Sequence, residues 1–290
     1  MPTDMIQWFP GHMAKTRRLM RENLKNVDVV IELLDARIPQ SSRNPEIKKL
    51  TEGKPLVTLL NKSMLADPAA TERWVAAYTG QGSVCLAVDC VSGKGMEKLM
   101  PAIRTLLAEK LERYAQKGMT RRLRAMVVGI PNVGKSSLIN RLSGSKKAKV
   151  ENRPGVTLAP QWVATSLGLD LMDMPGVLWP RFDNREIGEN LAITGAIKDD
   201  VVEIETLAVA LCHKLRTHYP LLLAARYKLE WNEQTLAMTD YELFLHIGRK
   251  RGFLISGGEV DTERCANMLL DEFRAAKIGR ITLDKEVASC

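Results

Sequence analysis

Aromatic residues make up only 5% of the chain, and none forms the interleaved stacking signature of modules that read single-stranded RNA, so sequence-specific reading of that kind is not expected. The five cysteines (Cys85, Cys90, Cys212, Cys265 and Cys290) are an odd set without C-x-x-C spacing. That argues against a disulfide frame or a zinc site and for reduced thiols in a cytosolic protein. His213, His218 and His246 lack a metal-ligand constellation and read as structural or surface residues. No run approaches the ~18 apolar residues of a membrane-spanning helix. Met1-Pro2-Thr3-Asp4 has no apolar signal region behind it, and the apolar Trp8, Phe9 and Met13 are interrupted by Pro10-Gly11. Charge, by contrast, is plentiful and unbalanced: 42 basic against 34 acidic residues give a net +8, which suits a polyanionic partner.

What is present begins with Gly129-Ile130-Pro131-Asn132-Val133-Gly134-Lys135-Ser136, the G-x-x-x-x-G-K-[ST] spacing of a phosphate-binding loop. The preceding run 123–128 is apolar and β-branched enough for a buried strand, and Ser137-Leu138-Ile139-Asn140-Arg141-Leu142 opens a helix. Strand, glycine loop and helix is the arrangement that turns backbone N–H groups toward a phosphate chain. A glycine-rich turn with an incidental lysine is the alternative, and this context weighs against it. Lys135 is expected to reach the β- and γ-phosphates while the 129–136 backbone wraps them, and Ser136 to ligate Mg²⁺ through its hydroxyl. A second strand ends in Asp173-Met174-Pro175-Gly176, whose aspartate can hold the Mg²⁺ shell and whose glycine lets a backbone N–H approach the γ-phosphate.

Alternating apolar strands and amphipathic helices give the fold class: α/β, a mostly parallel sheet with helices on both faces. Strands are predicted at 27–34, 56–60, 84–88, 124–129, 161–165 and 169–173, with helices at 13–26, 68–78 and 95–116. From about residue 190 the spacing is helical without clear strands. The predicted units are a basic N-terminal segment at 1–26, a nucleotide-binding domain at 27–189 and a small all-helical domain at 190–290.

The order of the motifs is unusual. Pro55-Leu56-Val57-Thr58-Leu59-Leu60-Asn61-Lys62 is a buried strand ending in the Asn-Lys pair that recognises the base in GTPases, where it follows the phosphate motifs; here it precedes them. That order, with Trp8-Phe9-Pro10-Gly11-His12-Met13-Ala14-Lys15 and Asp28-Val29-Val30-Ile31-Glu32-Leu33-Leu34-Asp35-Ala36-Arg37-Ile38-Pro39, resembles the circularly permuted GTPases of the ribosome biogenesis GTPase A (RbgA/YlqF) family. The resemblance runs from about residue 6 to 195 and more loosely beyond.

The resemblance implies a cytoplasmic switch that binds GTP/GDP with Mg²⁺, hydrolyses GTP slowly until stimulated, and assists late assembly of the large ribosomal subunit through rRNA contacts. The subunit's rRNA and proteins are the implied partners; no membrane span and no DNA partner are expected. The nucleotide pocket is assigned to Asn61, Lys62, Asp89, Cys90, Asn132, Val133, Gly134, Lys135, Ser136, Ser137, Thr157 and Gly176. Ser136, Thr157 and Asp173 are assigned to the metal, with Thr157, after Arg153-Pro154-Gly155-Val156, as the switch hydroxyl. Asn132 has two readings: a side-chain oxygen that helps hold K⁺ beside the phosphates, as the resemblance implies, or a turn-capping asparagine. The residue after Gly176 is Val177, where many GTPases place a water-orienting glutamine. The family's substitute is the histidine of the Phe-Pro-Gly-His motif, here His12, an imidazole able to orient or polarise water at neutral pH.

Two departures concern the base. Asn61-Lys62-Ser63-Met64 puts methionine where the family has the aspartate that accepts guanine N1–H and N2–H, and methionine accepts neither. In the second base loop, Ala87-Val88-Asp89-Cys90-Val91-Ser92-Gly93-Lys94-Gly95, Asp89 either supplies the lost acceptor or caps its own turn. Four basic clusters (15–25, Arg121-Arg122-Arg124, Lys146-Lys147-Lys149 and Arg249-Lys250-Arg251) are read as RNA-backbone contacts. Two rival functions remain: a nucleotide-gated RNA-binding factor with negligible hydrolysis or relaxed base specificity, and a metabolic phosphotransferase, for which no acceptor-binding motif is apparent.

Overall fold

Six apolar runs become six strands, and their spatial order differs from their chain order. A computed structural model describes residues 10–80, 82–144, 161–176, 178, 184–197 and 203–284, with side chains from residue 15 onward. The strands are β1 (Val29–Asp35), β2 (Leu56–Asn61), β3 (Ser83–Ala87), β4 (Leu123–Gly129), β5 (Gln161–Ala164) and β6 (Leu169–Asp173). They form one sheet in the order β3-β2-β1-β4-β6-β5. All neighbours are parallel except β5, which pairs antiparallel with β6 at the edge. The strand that carries the phosphate loop, β4, is therefore interior. The strands N-terminal to it lie on one side, and those C-terminal to it on the other.

Burial on both faces explains why β1 reads as an unbroken apolar run. Every one of its residues is buried, with Val29, Ile31 and Leu33 facing one core cluster and Val30 another. On the second face α1 (Pro10–Leu24) seats Met20 beside Val27, Ile47, Met126 and Met174. Helices α2 (Pro45–Leu50) and α3 (Pro68–Tyr78) follow β1 and β2. The first core cluster continues through Leu178, Leu191 and Ile193 into the helices that end the chain. These are α7 (Arg185–Ile193), α8 (Ile204–His218), α9 (Pro220–Tyr227), α10 (Glu233–Ala237), α11 (Asp240–Lys250) and α12 (Thr262–Arg274).

The strands agree with the predicted runs to within two residues at each end. The single helix predicted at 95–116 does not form. It is divided into a 3-10 turn at Met96–Lys98, α4 (Leu99–Leu106) and α5 (Ala108–Gln116). Pro101 is the local cause of the first break, because a residue without an N–H is accommodated only in a helix's first turn. The final α-helix of the nucleotide half, α6 (Lys135–Ser143), starts directly from the phosphate loop.

Just past β1, Asp35 and Arg37 are both about 2% exposed. The Asp35 carboxylate accepts from Arg37 N at 3.0 Å, Nε at 2.9 Å and Nη2 at 2.7 Å, and pairs with Lys62 Nζ at 2.9 Å. Burial, the largest influence, pushes this carboxyl's pKa up; Arg37 and Lys62 outweigh it and hold the group well below the usual carboxylate range. Removing one partner of a buried pair strands a charge, whereas exposed pairs contribute little. Urea unfolding of Arg37→Met should accordingly show a loss of about 3 kcal/mol or more. The same change at Arg122, whose side chain is 45% exposed in its pair with Asp170, should lose about 1 kcal/mol or less. Equal losses would contradict the picture.

Candidate nucleotide-binding site

Because β1, β2, β3, β4 and β6 are parallel, the segments that follow them leave the sheet at one edge, the carboxyl ends of the strands, where open α/β sheets bind ligands. There β4 ends at Gly129, whose φ of +151° and distance of 2.6 Å from a would-be Cβ to Leu33 O leave no room for a side chain. The loop closes on Gly134, at φ +106°, where a Cβ would collide with Asn61 Nδ2. Helix α6 then begins at Lys135 with no side-chain cap on its first turn, so its N-terminal amides, with those of Ser136 and Ser137, are available to an anion.

Lys135 is buried, and its ammonium donates to the carbonyls of Gly129 at 3.1 Å and Ile130 at 2.8 Å. Burial pushes its pKa down to about 8, against the opposing charge of Asp173 at the end of β6. A Cβ on Gly176 would lie 2.6 Å from Lys135 Nζ and 3.0 Å from Pro131 N. The Asp173-to-Gly176 segment therefore lies directly against the phosphate loop, with little room for a side chain at 176. Asn132 takes the left-handed conformation at φ +57° and donates from Nδ2 to Gly195 O at 2.9 Å, which ties the loop to the end of α7.

The two segments read from the sequence as base loops meet the phosphate loop through the Asn61 carboxamide. Asn61 Nδ2 donates to Val133 O at 2.7 Å, and Asn61 Oδ1 accepts from Cys90 N at 2.9 Å. Lys62 follows at φ +59° with its ammonium on Asp35. Burial lowers the Lys62 pKa while Asp35 raises it, and the net is downward. Met64 is 40% exposed. Neither nearby aspartate stands idle: Asp67 caps α3 by accepting from Ala69 N at 2.9 Å and Ala70 N at 3.2 Å, and Asp89 Oδ1 accepts from Ser92 N at 2.7 Å in its own turn. Burial pushes the Cys90 thiol up to about 12, so it is no nucleophile at neutral pH.

The structure thus gathers Asn61, Cys90, Val133, Gly134, Lys135, Asp173 and Gly176, with Lys62 adjacent and Ser136 and Ser137 on the first turn of α6. Asn132 faces α7, and Asp89 faces its own loop. Thr157, Val177, Arg153-Pro154-Gly155-Val156, Trp8, Phe9, Lys146, Lys147, Lys149 and the His12 side chain lie outside the described residues. For Mg²⁺, Ser136 and Asp173 supply the hard oxygen donors that ion prefers, and the glycine cradle around Lys135 admits a phosphate chain, so the residues present fit both groups. Among the described residues no set of three or more His, Cys, Asp or Glu side chains is grouped as an all-protein metal cage, as expected where phosphates and water complete the shell.

Sequence reading missed several contributors. Arg141 of α6 donates from Nε to Cys90 O at 3.1 Å and also bonds Val91 O, fastening the second base loop to the phosphate-loop helix. Asp35 and Arg37 were visible as a motif, but no role followed from their spacing. Arg121, Arg122 and Arg124, read as an RNA-facing cluster, are exposed but each is engaged within the chain. Arg121 bonds Asp28 and Tyr114, Arg122 bonds Asp170 and Thr165 O, and Arg124 lies over the Trp162 ring at 5.3 Å. Arg17 likewise pairs with Glu46 and Arg251 with Glu272. Lys15, Arg21, Lys25, Arg249 and Lys250 are exposed.

Comparison with known proteins decides the family. The chain is 49% identical over 281 residues to "Ribosome biogenesis GTPase A" of Priestia megaterium, covering 96% of each chain. This chain belongs to the ribosome biogenesis GTPase A family. It is 45% identical to the protein of that name from Bacillus licheniformis over 97% of this chain and 98% of that one. It is also 36% identical to "Mitochondrial ribosome-associated GTPase 1" of Mus musculus, over 98% and 91%. A family model described as "50S ribosome-binding GTPase" matches residues 124–241, a span that opens on β4. GDP-bound YlqF shares the fold, with TM-score 0.63 and 24% identity over 92% of this chain and 99% of that one. GNP-bound YlqF from T. maritima does so at TM-score 0.61 and 24%, over 93% and 98%. The chain is a GTPase with a mostly parallel six-stranded sheet and a helical C-terminal region. No described helix is long and apolar enough to cross a membrane.

The depressed Lys135 pKa has a consequence for binding. Below about pH 8 the free protein already carries the ammonium; above it the proton must be taken up when phosphates bind and restore its pKa. The association constant for GTP should be flat from pH 7 to about 8 and then fall by roughly tenfold per pH unit. Titration with a fluorescent GTP analogue between pH 7 and 9.5 reads this directly; a flat profile would contradict a buried, phosphate-paired Lys135.

Proposed function

We propose that this GTPase is a switch that assists late assembly of the large ribosomal subunit, in the cytoplasm, by docking on rRNA in its GTP form. The observation that carries the reading is the buried Lys135 ammonium, closed between two loop carbonyls and Gly176, in a chain related along nearly its whole length to proteins named for ribosome biogenesis. An ammonium held that way senses phosphate directly. The abutting Asp173-to-Gly176 segment would move when the γ-phosphate arrives or leaves, as order–disorder switches do.

Ser136 and Asp173, with Thr157, would hold Mg²⁺, which when bound neutralises charge on the β- and γ-phosphate oxygens. Asn61 and Lys62 would brace and cover the base, with Cys90 and Asp89 on its other side. Asn132, through its side-chain oxygen, would help hold K⁺ while its amide holds Gly195. Val177 offers no hydrogen bond to water, so His12 is assigned the orienting role, delivered on the N-terminal segment. The exposed Lys15, Arg21, Lys25, Arg249 and Lys250 would meet rRNA phosphates. A second reading, relaxed base specificity, is favoured by Met64 and by the engagement of both Asp67 and Asp89 with backbone N–H groups.

His12→Ala should leave GTP affinity nearly unchanged and lower subunit-stimulated hydrolysis by roughly 10²–10⁴-fold. Single-turnover phosphate release with and without purified large subunits measures both. Unchanged stimulated turnover would remove His12 from the mechanism, and no stimulation of the wild-type protein would remove the subunit.

A further inference from the structure

Past α12 the chain doubles back across the nucleotide half. Gly279, at φ +145°, passes so close to Leu222 that a Cβ would sit 2.7 Å from its Cδ1. Residues 280–284 then run as an extended strap over the loop that follows Asn61. Arg280 Nε donates to Ala66 O at 2.9 Å and Nη2 to Ser63 O at 2.8 Å. Ile281 N donates to Leu65 O at 3.1 Å. Thr282 Oγ1 accepts from Asp67 N at 3.2 Å and donates to Ala36 O at 3.2 Å. Leu283 N donates to Arg37 O at 2.7 Å. The Asp284 carboxylate, finally, accepts from Ser41 N at 2.7 Å, Ser41 Oγ at 2.5 Å and Asn190 Nδ2 at 2.9 Å. Ile281, Thr282 and Leu283 are almost fully buried.

The geometry is selective. Of residues 63–67, the strap takes the backbone of Ser63, Leu65, Ala66 and Asp67 and leaves out Met64, whose side chain is exposed. At its other end the same loop is fixed by Asn61 to Val133 and Cys90. Between those two anchorages Lys62 holds a left-handed backbone conformation, which a non-glycine residue keeps only when its surroundings over-determine it. A guanidinium fork that spans two carbonyls three residues apart fixes a turn in a way a point charge cannot.

We propose that Arg280 and its strap are positioning residues for nucleotide selection: they preorganise the base-recognition loop, so that affinity for the nucleoside part of the substrate depends on a segment more than 200 residues away. This rests on reading 61–67 as the base loop. The phosphate loop makes no contact with the strap among the bonds above, so the two halves of the ligand should respond differently.

The test compares GTP with inorganic triphosphate, each titrated calorimetrically with Mg²⁺ on the full chain. Arg280→Ala should weaken GTP about ten- to hundredfold while inorganic triphosphate stays within about twofold; Arg280→Lys, which keeps the charge but not the fork, should fall between. A purely structural role lowers the melting temperature and the binding stoichiometry but leaves the ratio of the two affinities untouched, and that result overturns the proposal. If Arg280→Ala does not fold, Arg280→Lys carries the same comparison. Lys62→Ala separates the two readings. If it lowers the ratio and the Arg280 variants do not, the strap proposal fails alone; if it too leaves the ratio unchanged, the base-loop reading fails and the proposal with it.

Discussion

The nucleotide site depends on the Asn61 carboxamide. It stands at the end of β2, reaches past the end of β1, and gives its N–H to Val133 in the phosphate loop while taking the Cys90 N–H of the second base loop. Three segments from three strands are locked by one side chain. Its fit is tight enough to demand glycine at 134. Through β1, where Asp35 pairs with Asn61 and Leu33 with Gly129, the register carries the end of β2 two residues beyond that of β4, within reach of the loop that follows β4. Permuting the chain alters which strand is made first but not which ends are adjacent, and adjacency is what the site needs.

Charge buried around that lock gives the site its readiness to bind. Lys135 is held by the carbonyl dipoles of Gly129 and Ile130, and burial lowers its pKa. Lys62 and Arg37 share the buried Asp35 carboxylate. Arg37 also donates to Thr194 O at 3.3 Å, Asn132 to Gly195 O, and Arg274 to Ala192 O and Ile193 O at 3.0 Å each. Four successive carbonyls at the end of α7 are thereby taken by side chains from the phosphate loop, the β1 loop and α12, Ala192 O also accepting from Gly195 N. The helical region is joined to the nucleotide half by directional bonds as well as by a shared core.

The sheet was legible because its strands are buried on both faces and therefore apolar throughout, and the phosphate loop because its function fixes both residue type and spacing. Long-range polar pairing was not. Arg121 finds Asp28 across 93 positions and Arg122 finds Asp170 across 48. Read along the chain, these arginines look like a basic patch; in space much of their charge is neutralised. The strap at 280–284 has neither periodicity nor a motif, and Arg280 meets its carbonyls 214 and 217 residues away. Asp89 shows a different limit: composition placed a carboxylate by the base loop, but only geometry could show it receiving Ser92 N–H. Pro101 marks the first break in the span 95–116, but the amphipathic pattern that runs through it reads as one helix.

Asn61→Asp tests, with almost no change in shape, whether one amide couples base and phosphate recognition. The carboxylate would present oxygen to Val133 O where an N–H now sits, leaving a buried charge against a carbonyl. Calorimetric titration should show GTP affinity reduced by at least about a hundredfold, with inorganic triphosphate weakened as well because the phosphate loop is itself displaced. GTP affinity within a few-fold of wild type, or a loss confined to GTP, would contradict the coupling.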